Sequence, residues 1–279
     1  MPAFFSQLDY VAIPSFQVEY NLLATKRYPK FSVRDFLLEN DRFWIPVLDE
    51  GKKINYVDAM AEYIDFDICH YPLAKINNLE DYEEVRELRG SFIAEYIGAS
   101  REKVIFVDHH TCHAHHAYFS SPLRGEDVLV LTMDGFGDGC NATVHTVDEE
   151  GRLKCQYQTN QCRVGTIYQF ITMLLGMKPA EHEFKVMGLA AYAKEKYFSE
   201  VVGIFQETYY VDGLEFKSRI PIGNHYEYFK KRLEGYRFDA IAGGLQRYVE
   251  GLVVEWIQNW LRHTRKKRIV FSGGGVVKY

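Results

Sequence analysis

Short solid apolar runs and longer stretches with an apolar residue every third or fourth position divide the chain into predicted elements. Glu80 to Ala99 reads as a helix, with Val85, Leu88, Phe92, Ile93 and Tyr96 at roughly helical spacing. Lys103 to Val107 and Asp127 to Met133 are apolar runs suited to buried strands. Ala142 to Val147 and Leu153 to Tyr157 follow as antiparallel neighbours joined by a Glu-Glu-Gly turn. Gly165 to Met177 presents Ile167, Phe170, Ile171, Leu174 and Leu175 as one wide apolar face and stops before Lys178-Pro179. Phe184 to Lys194 is a further helix. Phe238 to Arg265 is a long one, interrupted at Gly243-Gly244. Arg268 to Phe271 closes the series as a strand running into Ser272-Gly273-Gly274-Gly275. The first 80 residues are aromatic-rich and show no clear period. Strands, then helices, then a strand ending in glycines describe a mixed α/β domain rather than an alternating βαβ sheet.

Composition adds exclusions more than assignments. The 279 residues carry 33 Lys+Arg against 38 Asp+Glu, a formal charge of −5, which argues against nucleic-acid binding by bulk electrostatics. No apolar stretch approaches the roughly 20 residues of a membrane span, and the start MPAFFSQLDY lacks the basic and apolar regions of a signal peptide. A cytoplasmic location is the expectation. The five cysteines are odd in number, irregularly spaced and without a C-x-x-C pair, which fits reduced thiols. The basic run Arg262 to Arg268 reads as a solvated, dipole-compatible helix end.

Histidine is the exception. Five of the ten fall between His109 and His116, in the segment DHHTCHAHHAYF. A helix starting near His109 would put His109 and His113 on one face, one turn apart, where two imidazoles can grip one transition-metal ion. His110 with His113, or His113 with His116, are alternative pairs. The metalloprotease pattern H-E-x-x-H is absent. Asp134 to Gly139, DGFGDG, follows an apolar strand and could add a carboxylate ligand at the strand end. It is not a calcium loop, because Phe136 and His145 stand where that loop needs oxygen ligands. In EHEFKVMGLAAY, Glu183 and Lys185 precede a small-residue helix start, where Gly188 permits close backbone approach. Spacing alone favours a packed helix with a surface ion pair there. FSGGGVV, Phe271 to Val277, could offer backbone N–H groups to a phosphate, although it is neither a P-loop nor G-x-G-x-x-G.

In this order, VDHHTCHAHHAYFSSP, VLVLTMDGFGDG, GTIYQFITMLLGMKPAEHEFKVMGLAAY and IVFSGGGVV resemble the carbamoyltransferase family that includes the nodulation-factor and antibiotic O-carbamoyltransferases. The third is the most specific, and the resemblance runs from about Ile105 onward. It implies an incomplete actin/sugar-kinase-like ATPase domain, with 1–104 as its less assignable first part and 105–279 as the motif-bearing part. The C-terminal carbamoyl-handling domain is expected to lie outside this chain. It further implies that carbamoyl phosphate and ATP form a carbamoyl-adenylate, whose carbamoyl group passes to a hydroxyl of a sugar-like or natural-product acceptor. His109 and His113 match the family's metal-binding H-x-x-x-H, with Asp134 as third ligand to an iron-like divalent ion. Gly273, Gly274 and Gly275 would approach the nucleotide, and Glu183, Lys185 and Gly188 would line the same cleft. No residue is assigned as the catalytic group. A second polypeptide supplying the missing domain is the expected partner, and a non-catalytic metal- or nucleotide-binding remnant is the alternative reading. An ATPase acting on tRNA is disfavoured by the acidic balance and by HHTCH in place of H-x-E-G-H.

Overall fold

The computed structural model describes residues 8–14, 37–48, 50, 52–54, 56–60, 62, 82–179, 181–220 and 225–274. They belong to two compact units, Met1–Phe43 with Lys53–Cys112, and Trp44–Lys52 with His113–Tyr279.

In the first unit, β1 (Val11–Pro14) pairs in parallel with β2 (Val104–Val107). Helix α1 (Tyr82–Ile97) packs beside β2. Arg86, Arg89 and Arg101 each place a guanidinium 5.8–5.9 Å from the centre of the Phe106 ring. Arg101 also pairs with Glu87 at 2.9 Å and donates to the Val104 carbonyl at 2.8 Å. Gly90 is what lets that guanidinium lie against the helix, since a Cβ there would fall 2.3 Å from Arg101 Cζ.

The second unit is built on a four-stranded mixed sheet, ordered β5 (Leu153–Thr159), β4 (Cys140–Val147), β3 (Leu129–Gly137), β8 (Ile269–Ser272). The three consecutive strands pair antiparallel, whereas β3 and β8 run parallel in the register Leu129 to Ile269 through Thr132 to Ser272. Val128 to Leu131 are fully buried, as expected of a central strand covered on both faces. Helix α2 (His109–Ser120) covers one face, packing Ala114, Ala117 and Tyr118 against Val128 and Val130.

The chain between β5 and β8 supplies α3 (Val164–Leu174), α4 (Glu183–Ala190), α5 (Glu195–Gln206), the hairpin β6 (Tyr209–Asp212) and β7 (Glu215–Ser218), α6 (His225–Arg232) and α7 (Phe238–Thr264). The long helix α7 is the hub: α4, α5 and β6 all pack on it. Gly243 and Gly244 do not interrupt it. A Cβ at Gly243 would lie 2.4 Å from Ala193 Cβ, and one at Gly244 2.6 Å from Val201 Cγ1, so these glycines allow a close helix crossing. The hairpin is tied to α7 by Tyr248 donating to the Tyr209 carbonyl and Trp256 to that of Leu214.

The mixed α/β architecture matches the expectation, with boundaries shifted by a few residues. Two things differ. The hairpin β6–β7 sits in a region that otherwise reads as helical, and the basic run after α7 is ion-paired, Lys266 with Asp127 and Arg268 with Glu126 at 2.7 Å.

Candidate metal centre

Helix α2 begins at His109 because Asp108 caps it. The Asp108 carboxylate accepts from Thr111 N–H at 2.7 Å, and its carbonyl accepts from Cys112 N–H at 2.9 Å. Asp108 therefore does the capping, and the histidines are left to other work. His110 is 1% exposed, and His115 stacks on Phe119 at 5.8 Å between ring centres. His109 and His113 fall one turn apart on the same helix, as their spacing requires.

Asp134 stands on β3 where the ladder with β4 breaks after Met133. Its Oδ2 lies 3.1 Å from His113 Nε2, and its Oδ1 accepts from Gly135 N–H at 2.7 Å. His109, His113 and Asp134 each offer one ligand atom, all within 4.8 Å of one another, and all three are partly exposed. Two ligands about 2.1 Å from one ion and at right angles to each other stand about 3 Å apart. The His113–Asp134 spacing of 3.1 Å fits, and the His109 ligand atom lies within 4.8 Å of both. Of the pairs open from spacing alone, the structure groups His109 with His113 and adds Asp134.

The glycine loop after β8 arrives at the same strand end. Gly273 has φ 107°, and a Cβ there would lie 2.2 Å from the Met133 carbonyl oxygen. A Cβ on Gly274 would lie 2.7 Å from Asp134 Oδ1. The parallel pairing of β3 and β8 thus sets the glycine backbone directly against the Asp134 carboxylate. Gly275 lies outside the described residues. A second close approach was not read from the sequence: a Cβ on Gly165, at the start of α3, would lie 2.6 Å from Gly135 Cα. The glycine that opens GTIYQF was the available signal.

Glu183, Lys185 and Gly188 all lie within α4, which begins at Glu183 rather than after Lys185. The Lys185 ammonium sits 5.8 Å from the Phe184 ring centre, and Gly188 lines a cleft of about 560 Å³ against α7. These three are not part of the His109–His113–Asp134 group. The turn before α4 is held by Lys178, whose side chain is 2% exposed and ion-paired with Glu181. Lys178 N–H donates to His182 Nδ1 at 3.1 Å and its carbonyl accepts from His182 N–H at 3.0 Å. Burial, and then the Lys185 charge, hold the His182 pKa below its ordinary value, consistent with a neutral ring accepting at Nδ1. From the sequence Lys178 marks only the stop of the helix before it.

The family described as carbamoyltransferase N-terminus matches residues 43–278. The chain is 24% identical to the uncharacterized protein MJ1058 of Methanocaldococcus jannaschii over 96% of its own length and 48% of that protein's. It is 32% identical to the uncharacterized protein sll1178 of Synechocystis sp. over 34% of the chain and 15% of that protein. It is 31% identical to MJ1051 of M. jannaschii over 40% and 20%. The chain spans less than half the length of each of these relatives.

Proposed function

The chain belongs to the carbamoyltransferase family through its N-terminal domain, and on that basis we propose that it is the ATP- and metal-dependent part of an enzyme that carbamoylates a hydroxyl group. In the first stage water hydrolyses carbamoyl phosphate, inorganic phosphate leaves, and an oxygen of the resulting carbamate bonds to the α-phosphorus of ATP while the α–β phosphoanhydride bond breaks, so that pyrophosphate leaves and a carbamoyl-adenylate forms. In the second, an acceptor hydroxyl oxygen bonds to the carbamoyl carbon, the carbon–oxygen bond to AMP breaks, AMP leaves with the electron pair, and the hydroxyl proton goes to solvent. Because the relatives are about twice as long or more, the reaction is proposed for this chain together with a carbamoyl-handling domain, carried by further chain or by a second polypeptide.

The observation that carries this reading is the convergence of the glycine loop and the carboxylate–histidine group at one strand end. Gly273 lies against the Met133 backbone and Gly274 against the Asp134 carboxylate, and Asp134 faces His113. A divalent ion held by His109, His113 and Asp134 would supply Lewis-acid polarisation of phosphate oxygens. Within the chain, Asp134 orients the turn through Gly135 N–H, and the glycine loop lies close against Met133 and Asp134 at the same strand end.

Two measurements test this on one pair of proteins. The double variant His109→Ala, His113→Ala is expected to lose bound iron or zinc in elemental analysis, and its calorimetric affinity for ATP should fall about tenfold or more. Unchanged metal content with unchanged ATP affinity would reject the assignment.

A further inference from the structure

The turn that carries Asp134 is not held by strand pairing. Between Met133 and Gly137 the ladder to β4 is interrupted, and pairing with β8 ends at Thr132 and Ser272. Packing from two sides fixes the carboxylate instead. Gly274 lies against Oδ1, and Gly165, the second residue of α3, lies against Gly135, whose N–H bonds to the same oxygen. A Cβ on Gly165 would fall 2.6 Å from Gly135 Cα and 3.5 Å from Gly135 N. The first distance is about 1 Å inside carbon–carbon contact, so a side chain enters only if one partner shifts.

The start of α3 is the partner that stays. Asn141, fully buried on β4, accepts at Oδ1 from Cys162 N–H at 3.0 Å and donates from Nδ2 to the Asn160 carbonyl at 2.9 Å. One amide thus clamps the segment that leads into the helix. Val164, Ile167, Tyr168 and Ile171 bury α3 among its neighbours. The Tyr168 hydroxyl donates to Gln246 Oε1 on α7 at 2.5 Å, and Gln246 Nε2 donates to the Glu250 carboxylate at 3.0 Å. Gly135, by contrast, is exposed, and a Cβ on it would meet nothing within 4 Å. Crowding at Gly165 is therefore relieved by movement of the Gly135 turn. Asp134 Oδ1 is bonded to that turn and Oδ2 faces His113 at 3.1 Å, so the carboxylate moves with it. A shift of about 1 Å exceeds the roughly 0.5 Å within which a binding constellation has to be held.

We propose that Gly165 is a positioning residue of the metal centre. It brings the clamped start of α3 into contact with Gly135 and so holds the Asp134 carboxylate toward His113, with Asn141 fixing the helix start behind it. This role rests on the reading of His109, His113 and Asp134 as metal ligands.

The test is titration of the whole chain with Co(II), followed by its visible absorption bands. The wild type is expected to bind Co(II) and the double variant His109→Ala, His113→Ala to lose it. Gly165→Ala should weaken Co(II) about tenfold or more, as loss of a group that orients a metal ligand does, and should alter the bands because the carboxylate is displaced. Asn141→Ala loosens the helix start without adding an atom, and should weaken Co(II) about threefold or more. It decides the matter if Gly165→Ala does not fold. Gly243→Ala crowds Ala193 and Phe198 instead, and should keep wild-type Co(II) affinity and bands although its denaturant midpoint falls. Wild-type affinity in Gly165→Ala or in Asn141→Ala, or an equal loss in Gly243→Ala, would overturn the proposal and leave the metal reading standing. A wild type that does not bind Co(II), or unchanged binding in the double histidine variant, would overturn the metal reading and the proposal with it.

Discussion

Asp134 has two jobs, and they are divided between its two oxygens. Oδ2 meets His113 while Oδ1 is fixed by Gly135 N–H and lies where a side chain on Gly274 would intrude. Gly274→Val is therefore expected to weaken ATP binding about tenfold or more in calorimetry and to lower metal content as well, because the valine must displace the carboxylate. ATP affinity equal to wild type would show that the loop does not approach the nucleotide. His225 gives a second prediction at this scale. It is 1% exposed, its Nε2 lies 3.1 Å from Ser218 Oγ, and burial holds its pKa down to about 4 from 6.5. The folded state keeps this ring neutral while the unfolded chain protonates it below about 6.5. Its contribution to stability therefore declines as pH falls from about 6.5 to about 4 and levels off below that. Urea unfolding at pH 7 and pH 5 should show the wild type losing about 2 kcal/mol more than His225→Gln between the two. Equal losses would mean that the ring titrates normally.

At the scale of elements, α7 shows propensity and packing in opposition. A glycine in a helix interior ordinarily costs about 0.5–1 kcal/mol relative to alanine. At Gly203 in α5 a Cβ would meet nothing within 4 Å, so Gly203→Ala should stabilise by about that amount. At Gly243 the same change drives a Cβ into Ala193 and Phe198, and overpacking of this kind costs about 1–3 kcal/mol. Gly243→Ala should therefore destabilise. Denaturant midpoints moving in the same direction for both variants would contradict the account of the crossing. The strands of the mixed sheet were legible because VLVLTM is apolar without alternation, as burial on both faces demands. The β6–β7 hairpin was not read, although its signal was present: Asp212-Gly213 between Tyr209, Val211 and Phe216, all three buried. A hairpin of four-residue strands is too short to outweigh the helical pattern on both sides of it.

At the scale of the molecule, residues far apart in sequence meet because β3 and β8 are parallel neighbours. The crossover between them brings Ser272 beside Thr132 and so sets the glycine loop against Asp134. The histidine pair could be read from local spacing, since one helix fixes it. Its grouping with Asp134 was an expectation that only the tertiary arrangement could meet. The Tyr168–Gln246–Glu250 chain joins two helices 78 residues apart and left no local pattern to read. Glu183 and Lys185 were legible as a local motif, and both lie on α4.

The reaction itself is tested most directly without knowing the acceptor. Purified protein, alone and co-expressed with a carbamoyl-handling domain, would be incubated with ATP, a divalent metal and labelled pyrophosphate, with and without carbamoyl phosphate. The account predicts label entering ATP only when carbamoyl phosphate is present. No exchange from either preparation would contradict it.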